Sequence, residues 1–184
     1  MTATLILDDA RRFDLKLNAG RRYQAIVARP ELKAELMRKL AEAAPIAVVA
    51  GEGSLVGNLK VWENLVLPVA YSGRAPLEEL EGRAERLFCD FGILRERFAE
   101  LCVLLPERLS AFEQRLTVFV RAMLTEPEIM VYDELFEGLA RAEAEKAARF
   151  DSVFQLHFPF RTALFLDAED LGLAAASPDA TFRL

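Results

Sequence analysis

The stretch Leu109–Glu134, LSAFEQRLTVFVRAMLTEPEIMVYDE, constrains the fold of this chain more than any other. Ser110 and Glu113 stand in S-x-x-E spacing, in which the serine oxygen takes an orphan helix N–H and the glutamate reaches back. Phe112, Leu116, Phe119, Val120 and Met123 then recur at helical spacing and give the predicted helix a buried face. Ile129 to Tyr132 form a continuous apolar run that ends on two carboxylates, Asp133 and Glu134. A capped helix feeding a covered strand belongs to an α/β protein.

The rest of the chain alternates in the same way. Phe13, Leu15 and Leu17 have the period of a half-buried strand; Asn18-Ala19-Gly20 reads as a turn, and Arg21 to Ala28 as a second strand. Pro30 suits a helix start, with Leu32, Leu36 and Leu40 on one face. After Pro45, IAVVA reads as a strand covered on both faces. Leu77, Leu80, Ala84, Leu87, Phe88 and Phe91 make a helical stripe, with Gly92 at its C-terminus. A second helical segment passes through Phe98, Leu101 and Cys102 to Pro106; a further helix is predicted over 140–154, and TALFL (Thr162 to Leu166) is the last strand. With no repeat, low-complexity segment or linker, the expectation is a single domain over 1–184 with a helical subdomain around 74–108.

Composition excludes several classes of function. A net charge of −6 argues against a nucleic-acid binder working through a basic face. Cys89, Cys102 and the single His157 cannot build a zinc or iron–sulfur site of usual spacing, so no metal centre is expected. Both cysteines fall on apolar helix faces and read as buried packing residues. No apolar run approaches the ~20 residues of a membrane span and no signal-peptide pattern opens the chain, so a cytoplasmic protein is expected, held at a membrane only through a partner.

From Leu55 onward the order of features resembles the nucleotide-binding subunit of ATP-binding cassette (ABC) transporters. SLVGNLKVWENLVLPVAYSG (Ser54 to Gly73) is similar to the segment after the family's Q-loop, and its ENLVLP is closest in style to the lipid- and lipoprotein-transport branches. LSAFEQR stands where the family has its LSGGQ signature, EPEIMVYDE matches its Walker B strand, and EGL (Glu137 to Leu139) falls at its D-loop. TALFLDAEDL resembles the strand leading to the switch histidine, and the N-terminal hairpin fits the opening strands. The resemblance implies a truncated P-loop NTPase fold: a largely parallel sheet flanked by helices, with an N-terminal antiparallel hairpin.

Where the family binds nucleotide, this chain departs from it. A P-loop needs glycines so that consecutive N–H groups can turn toward phosphates, and none occurs between Gly20 and Gly51. ARPELKAEL stands there instead, with Ala34-Glu35 at the magnesium-binding Ser/Thr pair and with acid at Glu31 and Glu35. Lys33 is, by the resemblance, the remnant of the phosphate lysine; by itself it reads as an exposed lysine on the first turn of a helix. Gly51 replaces the Q-loop glutamine, Ala111-Phe112 the paired signature glycines, and Asp167 the switch histidine. Asp133, Glu134 and Ser110 survive as vestigial catalytic and phosphate-binding residues. Without the family they read as a helix cap and as carboxylates at a strand end.

These departures lead to a non-catalytic, ABC-ATPase-like protein that acts by protein–protein interaction and needs neither ATP nor Mg2+. Its expected partners are a membrane permease or a second ABC ATPase subunit, with a homodimer also open, and no nucleic acid. The resemblance places the receiving groove for a permease helix in Asn58 to Gly73, with Trp62, Leu65, Leu67 and Tyr71 as candidate anchors. Two alternatives stand beside it: an atypical ATPase subunit that binds ATP and Mg2+ in another pose, and a free-standing scaffold or regulator.

Overall fold

The computed structural model describes residues 2–7, 13–51, 54–72, 76–169 and 178–184, and side chains over 15–51, 54–70, 76–169 and 178–184. Strands β1 (Thr2–Leu7) and β2 (Phe13–Asn18) form an antiparallel hairpin. Next come β3 (Arg22–Ile26), α1 (Pro30–Ala43), β4 (Ile46–Ala50), α2 (Val61–Ser72), α3 (Leu77–Cys89) and α4 (Arg95–Cys102). A turn of 3-10 helix at Pro106–Arg108 leads into α5 (Ala111–Leu124), β5 (Ile129–Asp133), α6 (Arg141–Ala147), α7 (Phe150–His157), β6 (Thr162–Asp167) and β7 (Ala180–Arg183). The main sheet has the order β4-β5-β6-β3-β7, and every pairing in it is parallel.

Strand alternation divides the interior between two faces. Met130, Tyr132, Ala163 and Phe165 point into a core built with α2, α3 and α5 to α7, while Ile129, Val131, Leu164 and Leu166 face α1 and the hairpin. Helix α1 covers that second face with Leu32, Leu36 and Leu40, four residues apart and buried. In the first core, Phe119 and Phe150 stack at 4.5 Å, and Phe91 meets each ring edge-on. Such pairs add to area burial because ring edges and faces carry opposite partial charge.

Several expectations change. The hairpin exists, but β2 pairs with β1; β3 enters the main sheet between β6 and β7. A turn at residues 19–20 reverses nothing by itself when the next strand finds parallel partners. β4 is an edge strand with Ala47 and Val49 buried and Ile46 and Val48 half-buried, so it is covered fully on one face only. Leu77 is 55% exposed, at the first residue of α3 and beyond the rim of the core. Cys89 is exposed, because nine residues from Leu80 is about 180° round the helix. Cys102 is half-buried, and burial pushes its thiol up to about 12, with the Glu81 charge adding to it. The helix predicted over 140–154 is two, broken at Ala148-Arg149, where Arg149 turns back to donate to the Asp90 carbonyl and lie over the Phe91 ring.

Candidate functional site

The candidate site lies at the C-terminal end of the sheet, where β3, β5 and β6 finish. Three residues, Val27 to Arg29, connect β3 to α1, and Pro30 opens the helix with a proline ring already set at helical φ. Lys33, one turn in, is therefore aimed along the strand ends. β5 is two strands from β3, roughly 10 Å, and the lysine arm spans β6 to reach it. The ammonium nitrogen sits 2.5 Å from Asp133 Oδ1 and 3.0 Å from Glu134 Oε1. The exposed lysine expected on the first turn is thus a bridge between two carboxylates a hundred residues away.

The electrostatics agree with the geometry. Burial opposes the Lys33 charge, but hydrogen bonds and charge from Asp133 and Glu134 outweigh it and raise its pKa. The Lys33 ammonium in turn holds the Glu134 carboxyl below its ordinary range, against a smaller opposing effect of burial. Glu134 takes φ +49°, a left-handed conformation that costs a residue with a Cβ about 1–2 kcal/mol. Its surroundings hold it there. Its N–H donates to the Leu166 carbonyl at 2.9 Å, and its own carbonyl accepts from the Glu137 N–H at 3.0 Å.

Arg115, which the sequence reading left without a role, fixes the floor of the site. It is 5% exposed on α5. Its Nε donates to the Leu135 carbonyl at 3.2 Å, Nη1 to the Ala50 carbonyl at 3.0 Å, and Nη2 to the Glu137 carbonyl. One guanidinium thus ties the end of β4 to the loop after β5. A Cβ on Gly51 would stand 3.1 Å from the Glu134 carbonyl oxygen and 3.3 Å from both terminal nitrogens of Arg115. Glycine fits at position 51 because the Glu134 carbonyl and the Arg115 guanidinium fill the space beside it.

Ser110 caps α5 as predicted: its oxygen accepts from the Glu113 N–H at 3.1 Å, and Glu113 Oε2 accepts from the Ser110 N–H at 2.9 Å. The next N–H of that helix end is also taken, since Phe112 N–H donates to Glu143 Oε1 at 3.2 Å. Phe112 itself is buried, with Lys146 over its ring at 5.5 Å. Asp167 ends β6 and accepts from Gln24 Nε2 at 3.1 Å. Beside these groups lies a cleft of about 370 Å3 lined by Glu134, Phe136, Glu137, Asp167, Ala168 and Glu169. Among the described residues no group of three or more His, Cys, Asp or Glu side chains is placed to hold a metal ion.

Of the candidate anchors, Leu65 is fully buried: Val61, Leu65 and Val69 form the face α2 turns to the core. It cannot contact a partner. Trp62 and Leu67 are half-buried, and the side chain of Tyr71 lies outside the described residues. Sequence reasoning passed over Asn64, which shapes this region. Its Nδ2 donates to the carbonyls of Val56, Leu59 and Lys60 at 3.0–3.1 Å, and its Oδ1 accepts from the Val56 N–H at 2.7 Å.

No protein-family model matches the chain, and no curated protein does. Solved structures do. One is cbiO1 from Clostridium perfringens, part of the ABC transporter complex cbiONQ, at TM-score 0.65 and 13% identity over 86% of this chain and 71% of that one. Another is an ATP-binding subunit of an ABC transporter, at TM-score 0.72 and 18% identity over 94% and 78%. A third is a bacterial ABC transporter cassette, solved as a dimer, at 0.70 and 16% over 93% and 87%. The chain therefore has the fold of ABC transporter ATP-binding subunits; at these identities the likeness is one of fold.

Gly51→Gln should destabilise the protein by about 1–3 kcal/mol in urea denaturation, because neither the Glu134 backbone nor the anchored Arg115 can yield. An unchanged or higher stability would show that this space is open. The Lys33 bridge has a defined pH window. Glu134's share is present above its ordinary value of 4.5 and is lost as pH falls through its lowered folded value. Lys33's share is present below 10.5 and is lost as pH rises through its raised folded value. Lys33→Met should cost no more than about 1 kcal/mol near neutral pH, since the three side chains are 21–33% exposed and screened by solvent. That deficit should shrink in acid, and denaturation of both proteins at neutral pH and at about pH 3 measures it. A deficit independent of pH would remove Glu134 from the bridge.

Proposed function

We propose that this chain is a non-catalytic protein of ABC-ATPase fold that acts by docking to a transporter permease or to a second ATPase subunit. The observation that carries the reading is the Lys33 ammonium held between Asp133 and Glu134. The groups that the resemblance assigns to phosphate, to magnesium and to the attacking water are paired with one another. Other features support it. Three N–H groups at the start of α5, those of Ser110, Phe112 and Glu113, are taken by Glu113, Glu143 and Ser110, and the adjacent cleft is lined by Glu134, Glu137, Asp167 and Glu169, which repel a triphosphate. The side chains present therefore suit magnesium nucleotide poorly.

The positive function falls to the surface around the start of α2. Asn64 folds residues 56–60 onto that helix, and Glu63 Oε2 accepts from the Lys60 N–H at 2.6 Å. The Val61 N–H donates to the Leu104 carbonyl at 2.9 Å, which brings the loop after α4 alongside. Val56, Val103 and Leu105, 40%, 63% and 37% exposed, thus flank the first turn of α2 together with Trp62. Apolar anchors on a rigid polar frame suit the apolar face of a docked helix.

Calorimetry with Mg-ATP and a phosphate-release assay should show no binding tighter than ~1 mM, about −4 kcal/mol, and no turnover. Submillimolar binding, or turnover abolished by Glu134→Gln, would establish the atypical-ATPase alternative instead. Trp62→Ala combined with Val103→Asp should abolish co-purification with a co-expressed ABC permease while leaving the circular dichroism spectrum unchanged. Retained co-purification would move the docking face elsewhere.

A further inference from the structure

A second cavity lies at the opposite end of the sheet from Asp133 and Glu134, where β5 and β6 begin. It measures about 370 Å3, within the range of about 300–1,000 Å3 that small-molecule sites occupy. Its apolar wall is made by Leu17 near the end of β2, Ala19 in the turn that follows, Ala44 just past α1, and Ile129 at the first position of β5. Phe160 forms part of the rim; at 83% it is the most exposed large apolar side chain among the described residues. Glu128, Arg161 and Thr162 supply the polar part of the lining.

Hydrogen bonds fix these walls. The Thr162 N–H donates to the Glu128 carbonyl at 3.0 Å, and the N–H groups of Glu128 and Ile129 donate to the Pro45 carbonyl at 2.8 and 3.2 Å. The Thr162 hydroxyl donates to the Asn18 carbonyl at 3.0 Å, which draws in the end of β2. Gly20, at φ +74°, packs so closely that a Cβ would stand 3.2 Å from the Pro159 carbonyl oxygen. A site held this way is ordered before a ligand arrives. Arg161 Nη1 lies 3.7 Å from Glu128 Oε1, longer than a hydrogen bond, and the two side chains are 37% and 34% exposed. Such a pair gains little from itself. One long contact also cannot use the five donors of a guanidinium or the four lone-pair sites of a carboxylate.

A ligand carrying only negative charge would answer Arg161 and be repelled by Glu128; one carrying only positive charge would face the reverse. A molecule with both charges a few atoms apart, beside an apolar group, answers the whole lining. A free α-amino acid has that layout, with carboxylate, ammonium and side chain on one carbon. Helix α1 favours the same ligand: it ends beside the cavity with no basic residue in its last turn, so the negative end of its dipole attracts an ammonium. We propose that this cavity binds a free α-amino acid with an apolar side chain. Its carboxylate pairs with the Arg161 guanidinium, its ammonium with the Glu128 carboxylate, and its side chain packs on Leu17, Ile129 and the Phe160 ring. The site rests neither on the docking surface nor on the Lys33 bridge.

Calorimetric titration of the full chain with L-leucine and L-phenylalanine tests this, beside the N-acetyl and amide derivatives of each, which lack one charge or the other. At least one of the two amino acids should bind more tightly than ~1 mM, and both of its derivatives at least about tenfold more weakly. Arg161→Gln and Glu128→Gln should each weaken binding at least about tenfold. Phe160→Ala should weaken it severalfold with an unchanged circular dichroism spectrum, because the ring is exposed in the free protein. Absence of binding by both amino acids at ~1 mM, derivatives that bind as well as their parents, or unchanged affinity in either charge variant would overturn the proposal. Should Glu128→Gln fail to fold, the derivatives and Arg161→Gln decide, since the Arg161 side chain is more than a third exposed.

Discussion

A buried guanidinium holds together the end of the sheet on which the candidate site stands. Carrying a charge into a protein interior is costly unless its donors are used. Arg115 uses Nε, Nη1 and Nη2 on three carbonyls from two segments, Ala50 on one side and Leu135 and Glu137 on the other. Helix α5 delivers it there because the helix is anchored nearly all round: Phe112, Leu116, Phe119 and Met123 face other helices, while Val118 and Ala122 are buried too. Gly51 without a side chain, Glu134 in a left-handed conformation and the path of the loop to Leu139 all follow from where that guanidinium sits.

The Lys33 bridge stands on this floor. Lys33 is tethered to α1, and its two carboxylates are fixed at the end of β5, so the contact pays none of the translational entropy that an incoming ligand must pay. Each ion contributes little alone at this exposure. A nucleotide entering here would have to release the lysine, leave Asp133 and Glu134 facing its own negative charge, and still find backbone donors that Val27 to Arg29 are too few to provide. That intramolecular advantage is what supports the proposed reading of the site as closed to nucleotide.

Most of the fold was legible in local signals. The capping box at Ser110 and Glu113, the stripe Leu32-Leu36-Leu40 and the apolar strands β5 and β6 each depend on residues within a few positions of one another. What could not be read was non-local. Nothing near Asn18 says that its strand pairs with Thr2–Leu7, since a turn fits a hairpin and a change of sheet equally well. Lys33 looks like a surface lysine until its helix is placed across β6 from Asp133. The candidate site was legible as a set of family positions and not as a set of contacts. Arg115 stood in plain sight after the signature, yet its acceptors lie 20 to 65 residues away.

Polar satisfaction also explains why the exposed apolar residues lie where they do. At the sheet end the charges of Lys33, Asp133 and Glu134 answer one another, and Arg115 is answered by three backbone carbonyls. At the start of α2 the polar groups are answered from within as well, by Asn64 and Glu63. A loop whose backbone bonds are closed by a buried asparagine has no need of its own side chains for stability. Val56 can therefore point outward beside Val103 and Leu105 rather than into the core, while Leu65, one turn further along α2, carries the packing. On the proposed reading, the same economy sets one surface against a charged ligand and leaves Val56, Val103 and Leu105 on the other to meet an apolar one.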